Sequence, residues 1–171
     1  AAQTYRDVWW YYHNLEWTEL GQNYHLHPLQ KSHIYPIKEP FACLIYTASD
    51  HIEQIETLIQ SLPDIQFKIA ARVMVSDRLK QLLVYPNVTI FNGIHYLLDV
   101  DSELVDTCQV LLDINHGEKT EEMLDQFSER GKLILAFENT KYREVGQLTY
   151  KVEQVQEMIE KLREVEEKHG F

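Results

Sequence analysis

Three short polar stretches carry the residues best placed to do chemistry: Thr47-Ala48-Ser49-Asp50, Asn115-His116-Gly117-Glu118 and Glu138-Asn139-Thr140. Each directly follows an apolar run that reads as a buried strand. In open parallel sheets, ligands sit beyond the carboxyl ends of the strands. Ser49, Asn115, His116, Gly117, Glu118, Glu138, Asn139 and Thr140 are therefore the candidate cleft residues, for a ligand or an acceptor. The second stretch opens a helix, whose unpaired N–H groups and positive dipole end suit a phosphate. Its side chains oppose that use. Glu118, Glu121 and Glu122 fall in the first turns, where they stabilise the dipole themselves and repel a diphosphate. Asn115 followed by Glu118 also spells a capping box, which needs no ligand. Asp113 with His116 would make a metal pair, but no third ligand and no nucleophile are specified, so neither a metal nor a catalytic residue is expected. Turn-building hydrogen bonds account equally well for Asp113 and Asn115, with His116 at the rim.

The elements that must hold these corners follow from periodicity. Phe41–Thr47, Ile65–Ala71, Asn87–Phe91, Val110–Asp113 and Lys132–Phe137 read as strands. Between them, Ile52, Ile55 and Ile59 share a helical face behind an Asp50/Glu53 capping box, and Ser76–Leu83 makes a short helix. A turn or short helix is expected over Gly93–Asp106, and an amphipathic helix over Glu118–Arg130. Residues 141–150 are polar enough for a loop over the carboxyl edge, and Val152, Val155, Ile159, Leu162 and Val165 trace one face of a long terminal helix. The fold class is thus α/β, a doubly wound parallel sheet of about five strands, Rossmann-like, most simply in the order 3-2-1-4-5.

Residues 1–40 differ in character, with Trp9, Trp10, Tyr11, Tyr12 and Trp17 followed by a His- and Pro-containing link. They read as an aromatic helical extension and linker ahead of a domain spanning 41–171. Packing on a neighbouring body explains the aromatics best, and stacking on sugar rings is the second reading. The chain opens at Ala1 without an initiator Met or a signal-peptide pattern, as expected of a piece of a longer protein.

Composition narrows the function classes. A net charge of -11 disfavours nucleic acid as a partner. No apolar run is long enough to cross a bilayer. Cys43 and Cys108 each sit inside or beside an apolar run without metal or redox spacing, which points to small buried residues in a reducing compartment, hence a cytoplasmic location, a peripheral position at a membrane remaining compatible. The first corner lacks the G-x-G-x-x-G of a dinucleotide site, and the third strand ends Ile90-Phe91-Asn92 without a phosphoacceptor Asp.

The phrases SDHIEQIETLIQSLPDIQFKIAA, YPNVTIF, LLDINHGEK and LILAFENT, in this order, resemble the C-terminal Rossmann-like half of the GtfB-type subunit. That subunit is the glycosyltransferase-stabilising protein of the accessory Sec glycosylation system of Gram-positive bacteria. The resemblance covers about Tyr35 to Thr140, with LDINHG and AFENT the most distinctive phrases. It implies the second domain of a GT-B architecture, a catalytic glycosyltransferase subunit as partner, a serine-rich repeat adhesin as acceptor polypeptide, and no catalysis by the chain itself. No cofactor is implied; a UDP-sugar enters only in the alternative, the donor-binding domain of an active transferase. Retaining GT-B enzymes usually place two Glu, separated by seven residues, ahead of the Gly leading into the fifth strand, and anchored on Gly131 those positions are Glu118 and Gln126. The second acidic position is lost. The first corner also lacks the usual Arg and Lys for a diphosphate, which Arg72, Lys132, Lys141 and Arg143 would have to replace.

Overall fold

The computed structural model describes residues 40–72, 75–92, 103–118 and 121–169. The expected aromatic extension lies outside the described residues, as does most of the expected turn after Phe91. The strands are β1 (Ala42–Thr47), β2 (Gln66–Ala71), β3 (Val88–Phe91), β4 (Val110–Asp113), β5 (Leu133–Phe137) and β6 (Leu148–Tyr150). The helices are α1 (Ile55–Ser61), α2 (Asp77–Lys80, continued by a 3-10 turn over Gln81–Val84), α3 (Glu121–Glu129) and α4 (Val155–His169).

All strand pairs are parallel, in the order β3-β2-β1-β4-β5-β6. The expected 3-2-1-4-5 order is present, with a sixth strand added beyond β5. Because the chain runs outward from β1 in one direction and then returns to start β4 on its other side, β1 and β4 flank the point where winding reverses. Their carboxyl ends define the crevice that such sheets offer to ligands.

Strand alternation sends the core to both faces of the sheet. Cys43 and Ile45 of β1, Val110 and Leu112 of β4, and Leu135 and Phe137 of β5 pack on one face with Leu58 and Ile59 of α1 and Met158, Ile159 and Leu162 of α4. Ala42, Leu44, Leu111 and Ile134 pack on the other with Met123, Leu124 and Phe127 of α3 and with Leu104, Val105 and Cys108. Burial of both faces explains why these strands read as continuous apolar runs. Cys43 and Cys108 are free and buried, and burial pushes the Cys43 thiol up and raises Cys108 to about 11.

Three expectations are corrected. Residues 141–150 are not all loop, because Leu148–Tyr150 pairs with β5 as Leu135↔Leu148 and Phe137↔Tyr150. A three-residue strand with Leu148 exposed at the sheet edge leaves almost no period-two signal. Asp50 and Glu53 do not cap α1, which begins at Ile55 behind Gln54 in the left-handed region (φ 56). Asp50 instead accepts a hydrogen bond from Ser76 Oγ at 3.0 Å, and Ser76 is the residue that caps α2 through Leu79 N–H (3.2 Å). Asn115 does not cap α3 either, since residues 116–118 are not helical and Glu118 precedes the helix.

Candidate functional site

The crevice at the β1/β4 switch point is closed by a short antiparallel bridge between two loops. Ile52, in the loop after β1, bridges Asn115, in the loop after β4. Glu53 N–H donates to Ile114 O at 2.8 Å, and His116 N–H donates to His51 O at 2.9 Å. Successive side chains of extended backbone point to opposite sides. Ile52 and Asn115 therefore turn inward, at 5 % and 1 % exposure, while His51, Glu53 and His116 share the outer side.

On that outer side the groups interlock. The His51 and His116 rings stack at 4.1 Å between centroids, 29° from parallel. His116 Nε2 lies 2.8 Å from Glu53 Oε1, the same oxygen that accepts from Asn139 Nδ2 at 3.1 Å. The hydrogen bond from His116 holds the Glu53 carboxyl below the usual range, helped by Asn139 and by the charges of both histidines, with partial burial opposing. Three corners of the sheet edge thus meet on one carboxylate.

Of the sequence-derived cleft residues, the structure brings His116 and Asn139 together through Glu53. It turns others into scaffold. Thr140 is 3 % exposed; its hydroxyl donates to Asp113 O at 2.8 Å and accepts from Phe137 N–H at 3.1 Å, tying the end of β5 to the end of β4. Ser49 Oγ accepts from His51 N–H at 2.9 Å, and Ser49 N–H donates to Thr47 Oγ1 at 3.0 Å, which builds the first corner. Gly117 lies against that corner so closely that a Cβ there would stand 2.6 Å from Ser49 Cβ and 3.0 Å from the Ala48 carbonyl carbon. Glu118 and Glu138 are exposed. Asp113 is buried and accepts from Tyr142 N–H at 3.3 Å.

Sequence reasoning missed His51 and Glu53. Their signal was present in the strand order, which makes β1 and β4 neighbours, so the loops leaving them must face each other. Reading Asp50 and Glu53 as a helix cap assigned the carboxylate to the wrong task.

The cations that would have to hold a diphosphate are largely committed elsewhere. Arg143 pairs with Asp125 and, through Nε at 3.3 Å, with Glu121, and Lys141 pairs with Glu144 at 2.9 Å. Lys132 precedes β5, at the opposite edge of the sheet, where its ammonium donates to the carbonyls of Val105 and Cys108. A pocket of about 320 Å³ between α1 and α2 has the size for a small ligand, but Asp50 and Glu56 outnumber Arg78 among the charged groups that line it.

The chain is similar to known proteins over most of its length. It is 82% identical over 165 residues to "Glycosyltransferase GlyA" of Streptococcus pneumoniae serotype 4, covering 96% of this chain and 24% of that protein. Over 97 residues it is 38% identical to the UDP-N-acetylglucosamine–peptide N-acetylglucosaminyltransferase stabilizing protein GtfB of the same organism, covering 57% of this chain and 21% of that one. Two crystal structures share the fold. The glycosyltransferase GlyE of Streptococcus pneumoniae TIGR4 superposes with a TM-score of 0.64 at 26% identity, over 77% of this chain and 33% of that one. A GtfA/B complex bound to UDP and GlcNAc gives a TM-score of 0.62 at 31% identity, over 77% and 30%. The chain spans about a quarter of the length of GlyA and a similar share of GtfB. Residues 43–170, which run from the second residue of β1 through the terminal helix, match one family along their whole extent, and the chain belongs to the GftB/GlyA-F C-terminal domain family.

Proposed function

We propose that this chain is the non-catalytic C-terminal domain through which a streptococcal glycosyltransferase engages and stabilises its acceptor complex in protein O-glycosylation. Its acceptor is a serine-rich repeat polypeptide of the accessory Sec system, and the transferase site lies outside this domain. The observation that carries the reading is the electrostatics of the switch-point edge. Glu53, Glu118 and Glu138 line it, while Arg143 and Lys141 are held by Asp125, Glu121 and Glu144. A pyrophosphate placed there would meet carboxylates and compete for cations already paired. A hydroxyl-rich peptide or a sugar carries no charge to be repelled and finds exposed acceptors in Glu118 and Glu138.

The similarity to GlyA runs over nearly all of the chain, whereas that to GtfB covers little more than half. That GlyA is named a glycosyltransferase and is covered by this chain over only 24% of its length supports a domain joined to its catalytic partner in one polypeptide over a free-standing subunit. The donor-binding reading draws on one observation, that the GtfA/B structure of the same fold is a complex with UDP and GlcNAc.

Calorimetric titration with UDP and UDP-N-acetylglucosamine separates the two. The acceptor reading expects no binding tighter than about 1 mM. Micromolar affinity that is lost in Glu138→Ala would replace it with the donor reading.

A further inference from the structure

We infer that His51, Glu53 and His116 form a binding site for a divalent transition-metal ion, with Zn²⁺ the best chemical match. One donor atom from each residue lies within 4.8 Å of the other two. Two imidazoles and one carboxylate are the donor set of a borderline ion, and they disfavour Mg²⁺ and Ca²⁺, which take mostly oxygen.

The placement comes from the backbone. The Ile52–Asn115 bridge, with its 2.8 Å and 2.9 Å main-chain hydrogen bonds, aims all three side chains to one side of the loop pair before any ion arrives. Tetrahedral ligands about 2.0–2.1 Å from zinc stand roughly 3.3 Å apart. The 2.8 Å contact between His116 Nε2 and Glu53 Oε1 therefore opens by about half an ångström as the ion takes the place of the shared proton. His51 is exposed, so its ring can leave the stack on His116 and turn about χ2, a broad torsion for histidine, until a nitrogen faces the ion. Asn139 Nδ2, already 3.1 Å from Glu53 Oε1, orients the carboxylate in the way outer-shell partners of metal ligands do. Water fills the fourth position. The ion would offset the charge of Glu53, so that the acceptor reading would then rest on Glu118 and Glu138, which are exposed and outside the ligand set.

The test is a titration of the metal-free 171-residue chain with Co²⁺, followed by visible d–d absorption, with Zn²⁺ then displacing it. One equivalent is expected to bind, and His51→Gln, Glu53→Gln and His116→Gln should each weaken it by at least the about 10–100-fold that loss of an outer-shell partner costs. His51→Gln guards against a folding artefact, since the bridge hydrogen bonds are main-chain and a melting curve without metal should be unchanged. A chain in which His13, His25, His27 and His33 are all Gln controls for the other histidine-rich stretch and should bind as well as the parent. No Co²⁺ absorption up to about 1 mM, equal affinity in parent and His51→Gln, or loss of binding confined to the His13–His33 variant would each overturn the site.

Discussion

At the level of single residues, the edge is built by exclusion as much as by contact. Gly117 is required because Ser49 stands where its side chain would go. Gly117→Ala is expected to cost about 1–3 kcal/mol in urea unfolding. Ser49→Gly in the same chain should recover part of that loss, because the nearest clash, at 2.6 Å, is with Ser49 Cβ, while the backbone contacts at 3.0 Å remain. A double-mutant cycle with no coupling would show that the loops do not meet as described. The sequence revealed His116 and Asn139 as corner residues, since corners follow apolar runs. It did not reveal that Glu53 would receive both, because that depends on a contact between loops far apart in the chain.

At the level of elements, legibility followed burial. Strands β1 to β5 were recognisable because both faces of the sheet are covered, which forces uninterrupted apolar runs. The face of α4 was equally plain, with Met158, Ile159 and Leu162 buried and Val152, Val155 and Val165 packed beside them. β6 escaped because its residues are half-exposed and too few to show alternation. Capping was the weakest inference, since a Ser or Asp before an apolar period fits more than one partner. Ser76 turned out to serve α2 and Asp50 to brace Ser76. Ser76→Ala should therefore lower stability by about 1 kcal/mol, read from thermal or urea unfolding. An unchanged midpoint would mean that the cap contributes nothing to this short helix.

At the level of the whole molecule, the segment after Thr140 completes the sheet and one of its two cores. α4 supplies Met158, Ile159 and Leu162 to the face that also holds α1, and β6 covers the flank of β5. Ending the chain after Thr140 should abolish the cooperative melting transition seen by circular dichroism, because the part of that apolar face under α4 would meet water. A truncated chain that still melts sharply would show that the core closes without α4. None of the described helices is long and apolar enough to cross a membrane. The antiparallel bridge across the β1/β4 crevice has one more effect, on time rather than on shape. Loop amides near a surface normally trade deuterium within seconds to minutes, yet those of Glu53 and His116 are fastened to carbonyls of the opposite loop. Their exchange should lag behind that of loop amides left to water and slow with the sheet itself, so that mass spectrometry would find the mouth of the domain as unyielding as its floor.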